Sequence, residues 1–446
     1  MTTHTHRTSA RPDGTDMDGA ELTVTQALRL LADHQRAATR TLTMIPSENI
    51  LPPLARLAWL TELTGRYFFN DVEDSDDWRF PAARDAAALE TRLTLPLARR
   101  LTGAAHVNVR PLSGLNAMGL VLTALGGPPG SSVLVVSPQS GGHYATADLA
   151  RRFGLRPVLW DSSDPHRPDL DRLADLLAEH KPTLLYLDQS HSLVPFDVQA
   201  ITRLVRRCSP GTLVHVDVSH WMGLVLGAAL PNPLQQGAGS FGGSTHKTFP
   251  GPHKGLLATN DDQVAARLRA AQPHLISSHH YAATCALGLS LALFAPTART
   301  YATTVITNAR TLGAALHQRG LTPEGAAFGF SRGHQLWVRT APHGIPAATA
   351  ADRLYAAGIR TNFLTDLPRI GEPALRLGVN EATWLGLTPA DMPDLADIIT
   401  GAVLGDRPPH HYADQVAELR NRHPPTPLPP DLRRVAAQIY RAAFPE

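Results

Sequence analysis

Three short apolar runs, "SSVLVVSP", "PTLLYLDQS" and "TLVHVDVSH", fall between residues 131 and 220, with helical segments between them. Each is rich in Val and Leu and bounded by turn residues, as a strand buried on both faces must be. The segments "PDLDRLADLLAEH" and "VQAITRLVRRC" carry apolar residues at i, i+3/i+4 spacing and read as helices. Strand–helix–strand alternation predicts an α/β fold with a mostly parallel sheet covered on both faces. Ligands of such sheets sit beyond the carboxyl ends of the strands. Chemistry is therefore expected in "SPQSGGH", "DQSHS" and "DVSH".

The chain has 446 residues, and at about 150 residues per domain it has room for two or three domains. Hydrophobic residues make up 43% of it, enough for a large core. The formal charge of +2 has no basic block behind it, so neither a nucleic-acid nor a strongly anionic partner is expected. Cys208 and Cys285 form no disulfide framework and match no metal spacing. They fit free thiols in a reducing compartment. No apolar run reaches the roughly 18 residues of a membrane helix, and the start lacks a signal-peptide core. The reading is a soluble, cytoplasmic protein.

Residues 1–22 are polar and aperiodic, as a disordered tail would be. Its "HTH" offers two histidines without a third ligand, a poor metal site. An arm over 23–60 opens with a helix and continues into the proline-punctuated "MIPSENILPP". The large domain spans 61–298 and a smaller α+β domain spans 299–404. In the latter "GHQLWVRT" and "PALRLGV" read as strands, "ATAADRLYAAG" and "DMPDLADIITGAVL" as helices. Residues 405–446 form a proline-rich extension with two short amphipathic helices.

Lys247 stands in "GGSTHKTFPGPHKG" with no acidic residue within ten positions. A lone lysine is most often a solvated surface charge; a desolvated one is a nucleophile able to form a Schiff base. Pyridoxal phosphate held on such an amine needs an acid against its pyridine nitrogen. Asp217 closes a predicted buried strand, where a carboxylate is costly unless it meets a cation; it equally suits a helix cap. His220, three residues on, fits either a place near the ring or a structural hydrogen bond. Ser113 and Gly114 precede the apolar helix of "RPLSGLNAMGLVLTAL", and a helix N-terminus suits a phosphate. His143 in "SGGHYAT" could stack on a ring, and Arg376 in "PALRLGV" could grip a carboxylate in bidentate fashion.

These residues carry a resemblance. "MIPSEN", "PLSGLNA", "SGGHYAT", "VDVSHWMGLVLGAALPNPLQQGAGSFGGSTHKTFPGPHKG" and "LRLGVN" stand in the order and spacing of the serine hydroxymethyltransferase family, from about Leu30 to Leu404. The resemblance implies a fold-type-I pyridoxal-phosphate transferase, with a mostly parallel, seven-stranded type of sheet and an obligate homodimer sharing its active sites. It implies Lys247 as the Schiff-base lysine, Asp217 at the pyridine nitrogen and His143 stacked on the ring. Ser113, Gly114 and Ser190 would hold the phosphate and the ring oxygen, with His220 and His246 beside the cofactor. Arg376 and Ser47 would take the substrate carboxylate. Tyr67 matches a tyrosine that reaches the neighbouring subunit's site.

The departures concern folate. The family's Tyr-x-Glu, whose glutamate handles protons in one-carbon transfer, becomes Tyr67-Phe68-Phe69. Asp71 or Glu73 could substitute for that glutamate if the loop shifts. The glycine-rich "GGQGGP" loop becomes "LISSHH", and His253 takes the place of an arginine. With the cofactor apparatus kept and the folate parts lost, the expectation is aldol-type cleavage and formation of the Cα–Cβ bond of a β-hydroxy amino acid, with His143 or His220 moving protons. The expected form is an L-threonine transaldolase that passes a glycyl unit to a larger aldehyde, such as a nucleoside 5′-aldehyde. The alternatives are a tetrahydrofolate-dependent hydroxymethyltransferase acting on serine or α-methylserine, and a simple threonine aldolase.

Overall fold

The computed structural model of the chain describes residues 21–69, 74–405, 407–425 and 427–445. The "HTH" histidines, Asp71 and Glu73 lie outside the described residues. The part up to Thr39 forms a unit of its own. Its helix Val24–Ala38 starts in a capping box, where Thr23 and Gln26 satisfy each other's backbone amides. The second unit begins at Arg40. Its first strand, β1 (Leu42–Thr43), pairs in parallel with β11 (Ile359–Arg360).

The chain then builds its main sheet from seven strands: β2 (His106–Asn108), β3 (Ser132–Val136), β4 (Arg156–Trp160), β5 (Leu184–Leu187), β6 (Leu213–Asp217), β7 (Ser240–Ser244) and β8 (Gly255–Thr259). Their spatial order is β2-β8-β7-β6-β5-β3-β4. Every pairing is parallel except those of β8, which runs against both its neighbours. The predicted apolar runs are β3, β5 and β6. Both faces are covered, which is why the runs are apolar without alternation. Leu134, Val136, Leu185 and Leu187 face a core shared with the helices Leu170–His180 and Val198–Cys208. The intervening Val133, Val135, Leu184 and Tyr186 face a second core against Gly114–Leu125 and Asp262–Ala271.

The smaller sheet holds β9 (Thr322–Pro323), β10 (Gln335–Arg339), β12 (Asn362–Leu364) and β13 (Ala374–Gly378), in the antiparallel order β12-β13-β10-β9. Arg376 sits in the middle of β13, an inner strand, and is buried. The predicted helices of this region are Ala347–Ala356 and Met392–Leu404. Among the described residues no single helix is long and apolar enough to cross a membrane. Tyr281–Phe294 and Ala298–Gln318 pass that test only as a pair bent by 82°, and both contribute side chains to the core. The C-terminal extension holds the helices Ala413–Arg420 and Pro430–Ala443.

This topology gathers the strand ends. The carboxyl ends of β3, β5, β6 and β7 lie on one edge of the main sheet, and β8 enters from that edge because Ser244 faces Gly255. Segments 137–143, 188–191, 217–220 and 244–247 therefore meet at one place.

Candidate active site

A cavity of about 350 Å3 opens at that edge. Eight of the residues singled out in the sequence line it: Ser113, Gly114, His143, Ser190, Asp217, His220, His246 and Lys247. Arg376 stands directly behind them, bonded to the lining. Tyr67 and Ser47 are not part of the lining. The Tyr67 hydroxyl instead lies 2.7 Å from the Ser277 hydroxyl, and its half-exposed ring packs on Phe80.

Lys247 is half-buried and follows strand β7. Burial pulls its amine down to about 8, against the attraction of Asp217. Its backbone is pinned from several sides. Its carbonyl accepts from Asn49 Nδ2 at 2.8 Å and from Asn380 Nδ2 at 3.3 Å. The next carbonyl, that of Thr248, accepts from the Tyr301 hydroxyl at 2.7 Å. A lysine side chain is long and mobile, so a fixed backbone matters for aiming its amine.

Asp217 ends β6 and turns its carboxylate toward the cavity. Oδ1 accepts the Ser219 amide and Oδ2 accepts the Tyr186 hydroxyl, both at 2.8 Å. Gly243 leaves room for it. A Cβ there would stand 2.7 Å from Asp217 Oδ1 and 2.3 Å from Ser219 Oγ, and the residue's φ is +136°. Ser113 caps Gly114–Leu125 by accepting the Asn116 amide. Gly114 lets this helix approach β7, since a Cβ would come within 2.8 Å of Ser244 Cβ. Serine hydroxyls, a helix N-terminus and a carboxylate thus line one cavity.

Burial lowers the proton affinity of His143, His220 and His246 and favours their neutral forms. Their tautomers follow from their partners. His143 Nδ1 accepts the Ala145 amide at 3.2 Å, so its proton is on Nε2. His220 Nε2 lies 3.3 Å from Arg376 Nη2, which can only donate. His220 therefore carries its proton on Nδ1 and gives it to His334 Nε2 at 3.2 Å. The 3.4 Å approach of Gln335 Nε2 to the same Nδ1 is then not a hydrogen bond. Arg376 also donates Nη2 to the Ser190 carbonyl at 2.7 Å and Nε to Gln335 Oε1 at 2.9 Å.

Several participants escape a reading of the sequence alone. Tyr186 and Gln335 act through contacts that only the pairing of strands reveals, and His334 through a contact with His220, 114 positions away. Asp188 was visible as an acid at the end of "YLDQS". It is buried, lines the cavity, accepts from Thr146 Oγ1 at 2.5 Å and has its other oxygen, Oδ1, unpaired. Burial pushes its carboxyl up to about 8. Ser244 Oγ and His246 Nδ1 are likewise closed off without a partner. Unpaired buried polar atoms around a cavity are costly unless a ligand supplies their partners. An amine, a carboxylate, a flat imidazole and a helix N-terminus with hydroxyls form the donor set that pyridoxal phosphate requires.

Phe69 stands where the family resemblance places a glutamate, and its neighbour Phe68 is part of an aromatic cluster. Phe68 is fully buried and stacks on Tyr281 at 4.4 Å and 10°, with Trp78 edge-on at 4.5 Å.

Comparisons with known proteins bear on the family and the fold. An L-threonine:uridine-5′-aldehyde transaldolase from Streptomyces sp is 43% identical over 410 residues, covering 89% of this chain and 97% of the relative. A serine hydroxymethyltransferase from Pyrobaculum arsenaticum is 34% identical over 86% of this chain and 89% of its own length. The crystal structure of an L-threonine transaldolase from Pseudomonas fluorescens, in its internal aldimine state, superposes with a TM-score of 0.83 at 25% identity, covering 93% of this chain and 97% of that one. The model of one family, serine hydroxymethyltransferase, matches residues 23–399, and this chain is a member of that family.

Proposed function

We propose that the protein is a pyridoxal-phosphate-dependent L-threonine transaldolase that transfers a glycyl unit to a nucleoside 5′-aldehyde. The observation that carries this reading is the 43% identity, along nearly the whole chain, to transaldolases named for L-threonine and uridine-5′-aldehyde. Four serine hydroxymethyltransferases among the relatives are 31–34% identical. The sequence at Phe69 points the same way, since a phenylalanine stands where folate chemistry would need a proton-handling acid.

When bound, pyridoxal phosphate supplies the electron sink for cleaving and forming the Cα–Cβ bond. The chain's residues take the remaining roles. Lys247 anchors the cofactor. Asp217, held by Tyr186 and Ser219, pairs with the pyridine nitrogen. His143 would lie against the ring of the bound cofactor, with its Nε2–H available as a donor. Ser113, Gly114 and Ser244 cradle the phosphate, and Ser190 meets the ring oxygen. Arg376 takes the L-threonine carboxylate with help from Ser47. When Arg376 does so, its Nη2 leaves His220, whose Nε2 then has a free lone pair for the threonine hydroxyl. The β-hydroxyl proton leaves as the Cα–Cβ bond breaks and acetaldehyde departs; the same group returns a proton to the new hydroxyl once the acceptor has added. His246 stays neutral at the cavity wall. Tyr67, exposed on its own protomer, serves the other subunit of a homodimer, and the enzyme works in the cytoplasm.

The test is direct. The holoenzyme, incubated with L-threonine and uridine-5′-aldehyde, should release acetaldehyde and form one new, longer β-hydroxy amino acid. Glycine as the sole amino-acid product with every aldehyde tried would overturn the reading.

A further inference from the structure

A second cavity, of about 320 Å3, adjoins the first. The two share His246 and His253 as a wall. These rings stack at 4.1 Å and 20°. The second chamber is otherwise lined by Glu48, Asn49, Leu51, Trp59, Gly251, Pro252 and Glu381, with no lysine or arginine in the lining. Its place is set by the residues that fix the catalytic lysine. Asn49 and Asn380, whose amides bond the Lys247 carbonyl, are the immediate chain neighbours of Glu48 and Glu381.

Three features define what fits. The chamber has the volume of a small-molecule site rather than of a water pocket. Its lining carries two carboxylates: burial pushes Glu381 up to about 7, with Glu48 adding to the rise and Arg420 and Arg56 opposing it, and burial also raises Glu48. Anionic ligands are therefore repelled, and a phosphorylated or polycarboxylate acceptor is disfavoured. Carboxylates accept hydrogen bonds and do not donate them when ionised, so hydroxyl groups are their natural neutral partners. Trp59 offers an aromatic face that is 39% exposed, suited to a flat ring or the apolar face of a sugar. His246 Nδ1, unpaired and closed to solvent, can meet one further polar atom. His253 is exposed whereas His246 is not, so His253 is the member of the wall able to swing and join the chambers.

We propose that this second chamber holds the hydroxylated body of the acceptor aldehyde, with Glu381 and Glu48 accepting hydrogen bonds from an unphosphorylated ribose diol. The identity of the acceptor as an aldehyde rests on the transaldolase reading; the binding of a ribose diol does not.

The experiment separates the two. Uridine, which cannot react, is titrated calorimetrically into the wild-type holoenzyme and into E381Q and W59A. Uridine should bind, and should compete with the acceptor aldehyde and not with L-threonine. Uridine 5′-monophosphate and 2′,3′-dideoxyuridine should each bind about 10-fold more weakly, as expected for a lost hydrogen bond to a charged group or an added repulsion. E381Q should weaken uridine to the level of the dideoxy compound and raise the aldehyde's KM more than that of L-threonine. No uridine binding, equal binding of the three nucleosides, or a uridine affinity unchanged in E381Q overturns the proposal. The nucleoside comparison uses the wild type alone, so a poorly folding variant does not rescue it. If the wild type forms no new amino acid from the nucleoside aldehyde, the transaldolase reading falls, and the uridine titrations still decide the chamber.

Discussion

Arg376 points its Nη2 at His220 Nε2, 3.3 Å away, in a site where both side chains are buried. Burial lowers the guanidinium to about 9, still charged at neutral pH, and no carboxylate bonds it directly. A buried cation whose direct partners are an imidazole, a side-chain amide and a carbonyl is poised for an incoming anion. Arg376→Lys keeps the charge but loses the planar fork. It should raise the KM for L-threonine and lower kcat/KM by about 100-fold, the scale of a lost bidentate pair. Steady-state kinetics of acetaldehyde release check this; an unchanged KM would assign the carboxylate to another residue.

Tyr186 and Asp217 separate holding from chemistry. Tyr186→Phe removes a donor from a buried carboxylate oxygen, which should cost about 1–3 kcal/mol of stability. The carboxylate's charge remains, so activity should fall modestly. Asp217→Asn keeps the shape and removes the charge that the electron sink needs, and should lower kcat by more than about 100-fold. Thermal unfolding and turnover, measured on both variants, should rank them in opposite orders. The same order in both measurements would deny Asp217 its electronic role.

These partners show what the sequence made legible. Lys247 stood out because its surroundings are small, apolar and free of acids. Asp217 stood out because a carboxylate ending an apolar run must meet a partner, whereas Ser190 came from the family resemblance alone. The strands themselves were legible through composition, since a run covered on both faces has no polar positions to hide it. Tyr186 and Gln335 were not legible, and for one shared reason. In β5 and β6 Tyr186 pairs with His215, two residues before Asp217. In β10 and β13 Gln335 pairs with Gly378, two residues after Arg376. Each bonds its target along the diagonal of a strand pair, a relation fixed by register and absent from local pattern. His334 is hidden likewise, because its partner His220 lies 114 positions away. The second chamber is assembled from three separated segments, and Glu381 looked like any polar helix residue.

Gly243 tests the cradle around Asp217. Gly243→Ala places a methyl 2.7 Å from Asp217 Oδ1 and 2.3 Å from Ser219 Oγ, at a φ of +136°. Both the clash and the backbone strain fall on the residues that aim the carboxylate. The variant should lose about 2–4 kcal/mol of stability if it folds, and its cofactor affinity should drop about 10-fold or more. Equilibrium dialysis of pyridoxal phosphate gives the affinity; wild-type binding would mean the cavity does not depend on this glycine.

The lowered pKa of Lys247 sets how the apoenzyme takes up its cofactor. Only the neutral amine is a nucleophile, so the rate of capture follows the deprotonated fraction. With burial holding the amine at about 8, capture should climb from about pH 7 and level off above about pH 9, whereas an ordinary lysine near 10.4 would still be climbing there. Asp217 favours the charged form and so holds the value up. Asp217→Asn should therefore move the midpoint to lower pH, although it weakens the final complex. Lys247→Ala should show no lysine-dependent visible band at any pH. Stopped-flow absorbance after mixing apoenzyme with pyridoxal phosphate reads all three. A midpoint near that of a free lysine, or an upward move in Asp217→Asn, would show that the amine is solvated and that the cavity does not desolvate it.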